Sequence, residues 1–228
     1  MAAPHALRVF YGGTFDPVHN GHLAIACAAR DALRCAVRVM PAADPPHRAL
    51  PGADAAQRAA MVELAIADEP DLRIDRRELT RGGRSYSIDT LRELRSAYGA
   101  DAPLALLIGA DSLAGLPTWK DWRVLFELAH FVVADRSGVA SDQAHGQELA
   151  DELAGRWTSD FQALFEAPAG LVFDLKQPLH PESATEIRRR IAAGKPWRDQ
   201  VPAAVADFIE RNGLYGADVD KAVRGGPL

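Results

Sequence analysis

Cysteine is scarce: the 228 residues contain two, Cys27 and Cys35, in and just after an apolar helical pattern and without the spacing of a paired ligand or bridge. A disulfide-stapled scaffold is thereby excluded, the pair reads as core or incidental thiols, and a reducing compartment is expected. Long apolar runs are missing too. Stretches such as Leu104 to Ala110 fall far short of the about 20 residues that span a bilayer, and the first residues lack a basic region followed by an apolar signal core. A cytoplasmic protein without a membrane partner is therefore expected. Excess positive charge is also absent, since 26 Lys and Arg against 31 Asp and Glu give a net charge of −5. General nucleic-acid binding relies on broad basic surfaces, so no nucleic-acid partner is expected, and any polyanion must be held locally. Neither repeats nor low-complexity tracts occur.

What remains is a chain with 48% hydrophobic residues, enough for a substantial core. Apolar strand candidates (Leu7 to Tyr11, Val37 to Met40, Leu72 to Ile74, Leu104 to Ile108, Phe131 to Ala134, Leu171 to Phe173) alternate with helical patterns. That alternation predicts an α/β fold, Rossmann-like and doubly wound, with a mainly parallel sheet and helices on both faces. Leu104 to Ile108 is apolar at every position, which predicts a central strand covered on both sides. Ile25, Ala28, Ala29, Ala32 and Leu33 are spaced as one buried helical face, and Asp54 precedes a second stripe of Ala55, Ala59, Val62 and Ile66. Residues 1–216 read as one domain in which 137–169 form an irregular helical connection with a short helical pattern around Leu149 and Leu153. Residues 217–228 lack periodicity and are expected to fray.

The segment from Gly12 to His22, GGTFDPVHNGH, sits between the first strand and the first helix. Such a turn lies at the carboxyl edge of a parallel sheet, where helix N-termini offer unpaired N–H groups to anions. Gly12 and Gly13 lack a Cβ, so the backbone there can take positive φ and approach a phosphate closely. Asp16 and Pro17 read as a turn, or as N-cap and N1 residues. His19 and His22, three apart, share a face and can donate to neighbouring oxygens of one polyphosphate. Two imidazoles fall short of the three or four protein ligands usual for zinc, so no metal ligand is assigned. Further on, Ser85 or Ser87 can cap a helix that carries Asp89 near its positive end. Asp111 closes the central strand, where a carboxylate can accept from ribose hydroxyls, and Trp119 and Trp122 follow. Ser183 to Glu186 spells a capping box whose helix presents a second set of anion-facing N–H groups, with Thr185 and Arg188 on its first turns.

These residues resemble the signature of the nucleotidylyltransferase superfamily, GxFDxxHxGH, and the GGTFDPVHNGH spelling is most similar to the bacterial nicotinate mononucleotide adenylyltransferases. The resemblance extends through Pro45-Pro46-His47-Arg48, where Arg48 replaces the usual lysine. It includes Ser85-Tyr86-Ser87-Ile88-Asp89-Thr90-Leu91, Gly109-Ala110-Asp111 with Leu116-Pro117-Thr118-Trp119, and Glu182-Ser183-Ala184-Thr185-Glu186-Ile187-Arg188, in which Glu182 stands where isoleucine is usual. It implies transfer of the adenylyl group of ATP to nicotinate mononucleotide, giving the deamido dinucleotide and pyrophosphate in NAD biosynthesis. By the same resemblance Gly12, Gly13, Thr14, Phe15, His19, His22, Asp111, Ser183, Thr185 and Arg188 bind ATP. His19, His22, Arg48 and Arg188 stabilise charge during transfer. Ser85, Tyr86, Ser87 and Trp119 hold nicotinate mononucleotide, Trp119 by stacking, while Trp122 is structural. Magnesium is expected to enter with ATP. Pantetheine-phosphate adenylyltransferase and a non-catalytic nucleotide-sensing module stand as alternatives, and the sequence leaves the oligomeric state open.

Overall fold

The computed structural model describes residues 6–45, 52–134, 146–178 and 180–217. Within them a seven-stranded sheet runs in the order β3-β2-β1-β4-β5-β7-β6, every neighbouring pair parallel. The strands are β1 (Arg8–Gly13), β2 (Val37–Pro41), β3 (Leu72–Ile74), β4 (Leu104–Gly109), β5 (His130–Ala134), β6 (Trp157–Thr158) and β7 (Val172–Leu175). The six expected strands are all present and β4 is the middle one. Sequence reading missed β6, a two-residue edge strand too short for any periodicity to reveal.

The longer helices are α1 (Asn20–Leu33), α2 (Ala55–Ile66), α4 (Ser87–Tyr98), α9 (Ala184–Ala192) and α10 (Ala203–Arg211). Shorter ones are α3 (Arg77–Arg81), α5 (Ala110–Ala114), α6 (Leu125–Leu128), α7 (Gln147–Leu153) and α8 (Ala163–Glu166). The expected connection thus holds α7, with Leu149 and Leu153 buried, then β6 and α8; its first part, 137–145, lies outside the described residues.

Strand pleating explains why β4 is apolar throughout. Ala105 and Leu107 join a core with the buried residues of α1, α2, α9 and α10, whereas Leu104, Leu106 and Ile108 join a second core with those of α4, α6 and α7. Helices therefore cover both faces. On α1 the buried face is Gly21, Ile25, Ala26, Ala29 and Leu33, so the expected stripe is rotated: Ala28 is half-buried and Ala32 exposed. Alanine is compatible with either environment, which leaves the stripe's edge to be set by packing. Cys27 and Cys35 are half-buried, and burial pushes both thiols up to about 11, so they remain protonated.

The chain leaves β1 through α1 to β2 and β3, then returns to the other side of β1 to form β4. Strand order reverses between β1 and β4, opening a crevice at their carboxyl ends. Gly12, Gly13 and Gly109 lie at that point.

Candidate active site

A cavity of about 700 Å³ occupies this crevice. Its lining includes Gly12, Gly13, Thr14, Phe15, His19 and His22 from the β1–α1 turn. Ser85, Tyr86 and Ser87 come from the start of α4, Asp111 and Trp119 from the region after β4, and Ser183, Thr185 and Arg188 from the start of α9. Each of these was expected from the sequence. Arg48 lies outside the described residues; of its four-residue element, Pro45 lines the cavity.

The histidines form a rigid pair. His19 is the N-cap of α1 and 2% exposed, His22 is at N3, and their rings stack with centroids 3.6 Å apart. The His19 backbone N–H donates to His22 Nδ1 at 3.3 Å, one half of a reciprocal capping box. With Nδ1 accepting, neutral His22 carries its proton on Nε2 and acts as a donor.

Two expectations for this turn are corrected. Asp16 and Pro17 form a turn joined by a cis peptide but do not cap α1, because the helix begins four residues after Asp16 and His19 holds the cap. Gly12 and Gly13 do not take positive φ; Phe15 does, at 52°. The glycine requirement is one of space. A Cβ on Gly13 would meet Phe15 Cζ at 2.8 Å, and that ring is packed edge-on against Tyr11 and His22, with centroids 5.5 and 5.1 Å away.

Asp16 has a role that its spelling did not reveal. Its Oδ2 accepts from the Gly52 N–H at 2.8 Å, and Oδ1 accepts from the Ala53 N–H at 3.1 Å and from the Tyr215 hydroxyl at 2.7 Å. Arg58, 1% exposed, was likewise missed. It donates to the carbonyls of Thr14 (2.8 Å), Ala42 (2.7 Å), Ala43 (2.9 Å) and Ala53 (3.3 Å). A buried guanidinium thus ties the glycine turn to the loop after β2 and the start of α2. Its place on the buried face of α2 was the available signal, since a charged residue there needs partners.

The expected caps of α4 and α9 do not form. Tyr86, rather than Ser85 or Ser87, is the N-cap of α4, and the Ser85 Oγ instead accepts from the Ala43 N–H at 2.9 Å. Asp89 does lie in the first turn of α4, 3.3 Å from Lys120 Nζ, which sits 4.9 Å above the Tyr86 ring. At α9 Ser183 is the N-cap by position, but its side chain makes no cap bond. Glu186 turns away to Arg189 (2.7 Å) and Arg190 (2.8 Å), which hold its carboxyl down at about 2. Adjacent arginines at i+3 and i+4 outcompete the reach back to Ser183.

Arg188 faces the cavity, with Nη1 donating to the Asp16 carbonyl at 2.6 Å and Nη2 to Thr185 Oγ1 at 3.4 Å. It and Lys120 are the cationic side chains lining the cavity among the described residues. Glu182 packs against the first turn of α1, its Oε2 3.3 Å from where a Gly21 Cβ would lie and 3.7 Å from His180 Nδ1. A carboxylate is favourable beside a helix N-terminus, which accounts for an acidic residue there. Trp122 is 7% exposed in the second core, 6.5 Å edge-on from Phe126, and Trp119 is half-buried at the cavity wall.

A cleft lined by histidines and amide-rich helix starts, at the switch point of a Rossmann-like sheet, is the kind of site that open α/β folds use to bind nucleotides. The family model for cytidylyltransferase-like proteins matches residues 10–190. Over 215 residues the chain is 57% identical to a Stenotrophomonas maltophilia protein named "Probable nicotinate-nucleotide adenylyltransferase", covering 92% of this chain and 97% of that one. A protein of the same name from Xylella fastidiosa is 43% identical with the same coverage. The chain belongs to the nicotinate-nucleotide adenylyltransferase family. Its fold also matches the structure of Plasmodium falciparum nicotinic acid mononucleotide adenylyltransferase complexed with NaAD, at TM-score 0.69 and 13% identity over 94% of this chain and 100% of that one.

Proposed function

We propose that the cavity transfers the adenylyl group of ATP to nicotinate mononucleotide, releasing pyrophosphate and forming nicotinate adenine dinucleotide. A phosphate oxygen of the mononucleotide attacks the α-phosphorus, the bond to the β-phosphate bridging oxygen breaks, and the electron pair leaves with pyrophosphate. The nucleophile is already anionic near neutral pH, so the step needs alignment and charge stabilisation rather than a strong base. The observation that carries this reading is the convergence of the stacked His19–His22 pair and the α9 start, with Thr185 and Arg188, on one cavity.

In this reading His22 Nε2 donates to the α-phosphate, His19 faces the adjacent phosphates, and Thr185, Arg188 and Arg48 hold the leaving end. Asp111 accepts from ribose, and Trp119 stacks on the pyridine ring beside Ser85, Tyr86 and Ser87. Magnesium belongs to the proposal as an ion carried by the phosphate oxygens, whose charge it offsets. The side chains that would face those oxygens in this reading, His19, His22, Thr185 and Arg188, are N–H and O–H donors, which would suit a metal brought in with the substrate. No helix among the described residues is long and apolar enough to cross a membrane, and a cytoplasmic location is part of the same reading.

Pyrophosphate release is the test, with ATP, magnesium and each candidate acceptor. Release with nicotinate mononucleotide supports the reading. Release with phosphopantetheine alone assigns the chain to the pantetheine enzyme, and release with neither points to a sensing role.

A further inference from the structure

The two anion cradles come from opposite ends of the chain, yet a triphosphate spanning them needs a fixed gap. Arg188 and Asp16 are 172 positions apart and joined by the 2.6 Å bond from Nη1 to the Asp16 carbonyl, with Nη1 also 3.6 Å from Asp16 Oδ2. Tyr215 closes the same junction from the carboxyl-terminal side, 199 positions from Asp16, through its 2.7 Å hydroxyl bond to Oδ1. It belongs to the segment Leu214–Gly216, which packs on α9; a Cβ at Gly216 would touch Ala192 Cα at 3.8 Å. The Tyr215 ring also covers Gly52, where a Cβ would come within 2.9 Å of it, and Gly52 N–H is itself bound by Asp16. Tyr215 takes φ 59°, a left-handed conformation that a non-glycine residue rarely adopts without external contacts to hold it. Burial and the nearby carboxylate push the phenol upward in pKa, so the hydroxyl stays a donor.

We infer that Tyr215 is a positioning residue for adenylyl transfer, a clasp by which the carboxyl-terminal segment sets the distance between the β1–α1 turn and the start of α9. It is not among the residues lining the cavity and acts through Asp16 and Arg188. Asp16 is the hub: its carboxylate collects Tyr215, Gly52 and Ala53, while its carbonyl receives Arg188. The inference rests on the reading that ATP phosphates occupy both cradles.

Tyr215→Phe removes the hydroxyl and keeps the ring. Loss of one hydrogen bond to a carboxylate is expected to lower kcat/KM for ATP about tenfold, with KM for nicotinate mononucleotide changed by less than about twofold. Thermal unfolding is measured alongside. In an Arg188→Ala background the same substitution should have an effect of less than about twofold, because the clasp then has no guanidinium to place. Additive losses, or equal losses for both substrates, would show a general structural role and overturn the inference. If Tyr215→Phe does not fold, Asp16→Asn probes the junction from its other side and should give the same ATP-selective loss; its absence is equally decisive against the clasp. Wild-type protein without adenylyl transfer would instead refute the functional reading on which the clasp depends.

Discussion

The His22 ring is fixed from two sides, by the His19 N–H on Nδ1 and by the Phe15 edge 5.1 Å from its centroid. A preorganised donor of this kind lowers the barrier by about 2 to 4 kcal/mol, so His22→Ala should slow turnover by about 30-fold to 1000-fold in a folded protein. Steady-state pyrophosphate release measures this, and near-normal turnover would remove His22 from the chemistry. Gly13→Ala tests the same packing from behind. The added methyl meets a Phe15 ring that is 2% exposed, and overpacking of this sort costs about 1 to 3 kcal/mol. A lower melting temperature together with a raised KM for ATP is expected, since Phe15 cannot yield without moving His22. Trp119→Ala should raise KM for nicotinate mononucleotide selectively; unchanged affinity would end the stacking assignment.

At the scale of elements, Arg58 shows how α2 serves a site whose ligand groups it does not supply. The β1–α1 turn and both ends of the β2–α2 connection meet at one guanidinium, whose carbonyl partners would face a buried space without a donor if it were removed. Arg58→Met, which keeps the aliphatic stem, is expected to lower the free energy of unfolding by about 2 to 4 kcal/mol, read from urea denaturation. A loss below about 0.5 kcal/mol would mean the carbonyls find other donors. The ends of α4 and α9 teach a related lesson. Ser85, Ser87, Ser183 and Glu186 have the residue types of caps, yet Ser85 binds the loop after β2 and Glu186 binds the arginines one turn on. Local spelling offers a cap, and competing partners decide whether it forms.

At the scale of the molecule, the sheet holds an acid-sensitive joint far from the chemistry. His130 on β5 is fully buried, with Nε2 bonded to the Ala167 carbonyl at 2.8 Å and Nδ1 accepting from the Leu171 N–H at 3.1 Å. Burial lowers its pKa below the ordinary 6.5, because the charged form loses water and would set two donors against each other at Nδ1. The unfolded chain then takes up the proton first as pH falls. Stability contributed by neutral His130 is complete above about pH 6.5 and declines progressively below it. Urea midpoints measured from pH 8 to 5 should fall below 6.5, and less steeply in His130→Asn; a flat profile in the wild-type chain would contradict this.

The sequence by itself determined the strand–helix alternation, the central place of β4 and the identity of about half of the residues lining the cavity. Those follow from periodicity and from short motifs in which neighbouring residues perform the chemistry. Only the tertiary structure decided that Phe15 rather than a glycine takes the left-handed turn, that Asp16 is a hub rather than a cap, and that Arg58 and Tyr215 support the site. Each of those depends on the crowding of one ring or on partners that, Ala53 beside Arg58 apart, lie between 15 and 199 positions away, and such distances leave no pattern along the chain. Hydrogen-bond competition is resolved by which groups the fold brings within about 3 Å, and that is a property of packing.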